Sequence, residues 1–154
     1  MPGLTRRLLP ICALGLQMLA QPVPWAYAVD NVTTKDAPDL SSVRAAIKAK
    51  NFDAALAELK GMLVMYQHPD VYNLMGYSLR KTGDRGQAMT FYRKALDFDP
   101  AHKGALEYQG ELYIELGQFD KARENLAALS KLCPSGCEER DDLKEAMAHA
   151  PTGS

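Results

Sequence analysis

The chain is poor in the residues on which most site chemistry is built: among 154 residues there are three Cys, three His and one Trp. His68, His102 and His149 stand apart from one another and offer too few ligands for a metal centre. No serine or cysteine carries the local signature of an activated nucleophile, and no glycine-rich phosphate loop is present. Neither an enzyme nor a cofactor is therefore expected. Positive charge is not in excess, with 18 Lys and Arg against 19 Asp and Glu, so the electrostatic footprint of a nucleic-acid partner is missing. Long apolar runs are missing too, and none approaches the roughly 20 residues that a membrane-spanning helix needs.

The longest apolar stretch, Leu8 to Ala20, is broken by Pro10 and Gln17. It follows Arg6-Arg7 and precedes the small-x-small triplet Ala26-Tyr27-Ala28, the order of a secretory signal peptide over residues 1–28. The twin arginines and Cys12 raise two rival export signals, but Cys12 lies too early in the apolar run for lipid attachment. We expect an exported protein, periplasmic first and secreted second, with no integral membrane segment after cleavage. Removal of residues 1–28 leaves 126 residues with 16 basic and 19 acidic side chains, two cysteines and no tryptophan. That length suits one domain.

Cys133 and Cys137 survive in Cys133-Pro134-Ser135-Gly136-Cys137. An oxidising compartment favours a disulfide between them, and Pro134 and Gly136 can supply the turn. So short a loop contributes only roughly 2 kcal/mol, so its role is local, fixing how the last helix leaves the preceding one. The competing reading is a thiol-dependent metal or redox protein using the same pair.

What the chain does have is a repeat. Gly76 and Gly110, Gly83 and Gly117, Ala88 and Ala122, and Pro100 and Pro134 are each 34 residues apart, and so are His68 and His102. Val71 to Lys81 reads as a helix, Thr82-Gly83-Asp84 as a turn and Arg85 to Phe98 as a second helix, with Asp70 as the expected cap. Gly76 and Ala88 are small where two helices must approach, and Gly83 can take the left-handed conformation that ends a helix. Phe52, Ala55, Leu56, Leu59, Met62 and Leu63 mark an earlier helix, which His68-Pro69-Asp70 should end. Ala55 precedes Ala88 by 33 residues, one short of the period. Leu143, Ala146 and Met147 share one face of a last helix whose first turn is acidic.

Tyr72, Met75, Gly76, Leu79, Ala88, Tyr92 and Pro100, with Leu106, Gln109, Gly110, Tyr113, Ala122, Leu126 and Pro134 in the next unit, resemble the tetratricopeptide repeat family. The family's leading tryptophan is absent, and Gln109 stands where a large apolar residue is usual. The resemblance implies an all-α fold, a short solenoid of antiparallel helix pairs with about three repeats and a C-terminal capping helix. The expected layout is a flexible lead-in at 29–40, a repeat domain at 41–134 (units 41–67, 70–100 and 103–134), a capping helix at 137–149 and a frayed tail at 150–154.

In proteins of this family the first helix of each pair lines a concave surface. By helical spacing the candidates there are Arg44 and Lys48, then Asn73, Tyr77, Arg80 and Lys81, then Glu107, Glu111, Ile114 and Glu115. Basic residues fall on the first two helices and acids on the third, a polarity that could orient an extended peptide or a partner helix. Ordinary solvated helix faces would look the same. Tyr77 is the strongest candidate, since tyrosine offers a large amphipathic contact at low entropic cost. Arg44, Lys48, Asn73 and Lys81 also suit a clamp for a peptide's terminal carboxylate, which the acidic third helix does not. The expected function is thus a protein-protein interaction adaptor, with self-association through a terminal repeat as a further outcome.

Overall fold

The computed structural model describes residues 37–150. The expected signal peptide, the lead-in up to residue 36 and the tail from residue 151 lie outside the described residues. Within them the chain is all-α, a solenoid of three antiparallel helix pairs followed by a seventh helix. The helices are α1 (Ser41–Lys48), α2 (Phe52–Met62), α3 (Pro69–Lys81), α4 (Arg85–Phe98), α5 (Lys103–Glu115), α6 (Phe119–Leu132) and α7 (Glu138–Ala148). The turn inside each pair follows one rule. A residue with positive φ ends the first helix, at Lys50 (+58°), Gly83 (+94°) and Gly117 (+70°). The next residue then starts the second helix, with the side chains of Asn51 and Asp84 accepting from the Ala54 and Gln87 amides.

The first pair departs from the expected pattern in three ways. Its turn uses Lys50 where the later repeats use glycine, so a side chain is held in a conformation that glycine adopts without strain. α2 ends at Met62, well before His68-Pro69-Asp70, with Gly61 weakening its last turn. Val64 and Met65 are left 87% and 65% exposed. The lead-in also ends earlier than Leu40: Pro38 and Leu40 are buried, and Leu40 packs in the core with Val43.

α3 starts two residues before the expected Val71. Pro69 opens α3, where its missing N–H costs nothing, and the cap is His68 rather than Asp70, with Nδ1 accepting from the Asp70 amide. His102 repeats this at α5, accepting from the Ala105 amide. The two histidines therefore do structural work at equivalent turns, and His102 is largely buried.

The core follows the small residues. A Cβ on Gly76 would lie 2.6 and 2.7 Å from Tyr92 ring carbons and 3.2 Å from the Ala88 carbonyl oxygen. Tyr92 is fully buried, so α3 and α4 touch here through backbone and ring. At the equivalent Gly110 the space is filled from a different direction, by Leu143 of α7, with methyl carbons 2.6 and 2.7 Å from a hypothetical Cβ. Burying Leu143 completely is worth roughly 1.5–3 kcal/mol, which makes α7 an integral part of the stack. Gln109 is buried as well, and it is matched: Asn125 of α6 donates to the Gln109 side-chain oxygen (3.1 Å) and the Leu106 carbonyl (2.9 Å). Cys133 and Cys137 are joined by a disulfide across the α6–α7 turn, and Arg140 reaches back to the Cys133 carbonyl.

Candidate functional site

The first helices α1, α3 and α5, together with the start of α7, enclose a cavity of about 300 Å³. Arg44 comes from α1, Asn73 and Leu74 from α3, Glu107 and Tyr108 from α5, and Glu138, Glu139 and Asp142 from α7. Asp70 and His102 close it where α3 and α5 begin. His102 Nδ1 is occupied as an acceptor, so Nε2 carries the proton and donates to Asp70 Oδ1 at 2.9 Å. That hydrogen bond is the main reason the Asp70 carboxyl is held below the usual aspartate range.

Three of the expected residues, Arg44, Asn73 and Glu107, thus share one cavity. Three others form an adjoining cluster: the Tyr77 ring lies tilted against Tyr108 with centroids 4.8 Å apart, and the Arg80 guanidinium sits 5.9 Å from both rings. Lys81 lies 5.2 Å over the Tyr77 ring on the exposed side. Lys48 is exposed and Ile114 packs against the core.

The expected separation of free positive and negative faces does not hold. The Arg80 side chain is only 5% exposed and pairs with Glu111 and, at 3.3 Å, with Glu115. Glu115 also accepts from Arg85 at 2.8 Å. These charges neutralise one another between neighbouring repeats, because side-by-side packing brings α3 and α5 within side-chain reach. The cavity walls are also predominantly acidic, which disfavours a clamp for a carboxylate.

Glu107 is the exception. It is 7% exposed, and among the described residues it has no hydrogen-bond or ion-pair partner. Burial first, then the negative charges of Glu111, Asp142 and Glu139, push its carboxyl up to about 8, against a smaller opposing effect of Arg80. Burial and Glu107 likewise push the Tyr108 phenol up to about 12. Asn73 is 6% exposed and its Oδ1 is a buried acceptor without a partner. Gly104 lies beside it, where a Cβ would come within 3.1 Å of the Asn73 amide nitrogen.

Sequence reasoning missed Tyr108, Asp70, His102 and the α7 acids. The 34-residue register held part of the signal, since Gly104 is the counterpart of Asp70 and adjoins the His102 turn. The α7 contribution had none, because α7 lies outside the repeat. Among the described residues no helix is long and apolar enough to cross a membrane, and no group of three His, Cys, Asp or Glu is arranged to hold a metal ion.

Stacked helix pairs with a shared inner face define a helical-repeat scaffold. Residues 79–134 match the sequence pattern of the family described as Tetratricopeptide repeat. A segment of 80 residues, 52% of this chain, is 35% identical to BBSome complex member BBS4 of Bos taurus, of which it spans 15%. Two solved structures share the fold at 16% identity over 70% of this chain. PcrH in complex with the chaperone binding region of PopD has a TM-score of 0.60 with 81% of that chain covered. PcrH in complex with the chaperone binding region of PopB has a TM-score of 0.59 with 87% covered.

Proposed function

We propose that this protein is a non-enzymatic protein-protein interaction adaptor of the cell envelope that binds an extended peptide or partner helix along α1, α3 and α5. The observation that carries this reading is the cavity, into which Arg44, Asn73 and Glu107 from three successive first helices converge. Tyr77 and Tyr108 beside it supply aromatic surface at low entropic cost. The two PcrH structures of like fold each hold a segment of another protein, which supports the same use of this scaffold. Export to the periplasm is supported by the order of charge, apolar stretch and small residues in 1–28, and by the paired Cys133 and Cys137.

Selection of peptides from a display library against the full chain tests the binding reading. The recovered peptides should protect α1, α3 and α5 amides from exchange and should lose affinity with Tyr77→Ala. Protection confined to α2, α4 and α6 would reject it. Replacing both Cys133 and Cys137 with Ser should leave this binding intact, whereas a thiol-dependent function would be lost. Fractionation of cells expressing the chain with a C-terminal reporter tests export, and a cytoplasmic reporter would reject it.

A further inference from the structure

Among the charged side chains on the inner face, those of Arg80, Glu111 and Glu115 are already paired. Unmatched acceptors lie in the cavity: the Glu107 carboxylate and, independently of it, the Asn73 Oδ1, an acceptor in a residue that is 94% buried and that has no donor among the described residues. A buried acceptor without a donor costs roughly as much as a lost hydrogen bond, so this site is incomplete as it stands. Arg44 lines the same cavity but makes no hydrogen bond or ion pair to either acceptor, so both are left for a cationic donor from outside.

We propose that this cavity is the pocket for a basic side chain, lysine or arginine, projecting from a partner segment that lies along α1, α3 and α5. Glu107 supplies the counter-charge, Asn73 Oδ1 accepts a hydrogen bond, and Asp142 of α7 adds negative potential, with a smaller share from Glu139, which also lies 3.8 Å from Lys103. Leu74 and Tyr108 give the methylene stem an apolar wall, and the tyrosine ring face attracts the cation. The volume, about 300 Å³, is at the lower end of ligand cavities and suits one long side chain. It is too wide for these groups to close around a bare metal ion. The pocket rests on the binding reading above and names the partner's chemistry.

The groups facing Glu107 also set a pH dependence. Glu111 comes from its own helix, Glu139 and Asp142 from α7, and Arg80 from α3, with Arg44 of α1 at the cavity wall. With its carboxyl near 8, Glu107 is mostly protonated at neutral pH and must lose that proton to pair with a cation. Affinity should therefore rise by about tenfold from pH 7 to pH 9, where lysine-like and arginine-like groups keep their charge.

The test is an amide NMR titration of the full chain at pH 8.5 with n-butylammonium, n-propylguanidinium and neutral n-butanol. Either cation should shift amides near Asn73, Gly104 to Tyr108 and the start of α7, and butanol should not. Glu107→Gln should weaken cation binding at least tenfold, and Asp142→Asn, an exposed change that spares the fold, severalfold. Butanol binding as well as the cations, shifts confined to other surfaces, or affinity insensitive to both substitutions would overturn the proposal. If the cations fail while display-selected peptides still depend on Tyr77, the pocket falls and the binding surface stands. If the peptides map elsewhere, the surface itself falls.

Discussion

A single added methyl group at Gly76 should test whether the repeat's glycine is there for close packing. A Cβ at this position meets two Tyr92 ring carbons at 2.6 and 2.7 Å and the Ala88 carbonyl oxygen at 3.2 Å. The ring cannot swing away, because Tyr92 is fully enclosed, so α3 and α4 must separate. Forcing extra volume into a filled core costs about 1–3 kcal/mol, against which alanine recovers up to about 1 kcal/mol of helix propensity. Gly76→Ala should thus lose about 1–2 kcal/mol, a fall in Tm of about 4–10 °C for a domain this size. Gly61→Ala provides the control, since a Cβ there has nothing within 4 Å and should gain about 0.5–1 kcal/mol. Urea unfolding followed by circular dichroism measures both. Tyr92→Leu removes the opposing ring carbons and should make Gly76→Ala less costly in a double-mutant cycle. If both alanine variants moved stability in the same direction, the close-packing explanation would be refuted.

Three further outcomes are expected. Lys50→Gly should stabilise the chain by about 1 kcal/mol by relieving the positive φ of the first turn, and a loss of stability in urea unfolding would count against strain there. Glu107→Gln should flatten the pH dependence of stability. The native carboxyl is raised from 4.5 to about 8, so its contribution is full below about 4.5 and is lost as pH rises through 8. The variant should be the more stable form at pH 9, by on the order of 1–3 kcal/mol once solvent screening is allowed for, and unfolding curves that stay parallel from pH 4 to 9 would refute this. Gly110→Ala should push Leu143 outward, and hydrogen exchange should then show lost protection in α7 with α3 and α4 retained; uniform loss would mean that α7 is not a separable layer.

Much of the fold was legible because its punctuation is steric. Gly76, Gly83, Ala88 and Pro100 each meet a local demand that one residue type answers, and the same demand recurs 34 residues later. The first repeat was harder to read because Lys50 makes its turn without glycine and α2 stops at Met62, so the usual marks are missing. The site was legible only in part. Helical spacing put Arg44, Asn73, Tyr77 and Glu107 on one surface, but spacing along a helix does not say which charges pair across helices. The register did contain a clue: Arg80 plus 34 is Ile114, which lies between Glu111 and Glu115. Stacking equivalent positions side by side would have indicated the Arg80 pairs and left Glu107 as the uncompensated acid.

The acids of α7 have two explanations, and geometry separates them. Carboxylates in a first turn are favoured by the helix dipole, which accounts for Glu138, Glu139 and Asp141 with no ligand at all. Asp141 fits that account fully, since its side chain turns to Arg140. Asp142 lies one residue further and, like Glu139, lines the cavity and raises the Glu107 carboxyl. Gathering like charges around a buried acid works against folding, so the dipole cannot be the reason for that convergence. If Glu107 served packing alone, Glu107→Gln would leave cation binding unchanged. If it is a counter-charge held at the expense of stability, the same substitution must strengthen the fold at high pH while weakening the cation site. Opposite signs in those two measurements from one variant are what a binding carboxylate requires.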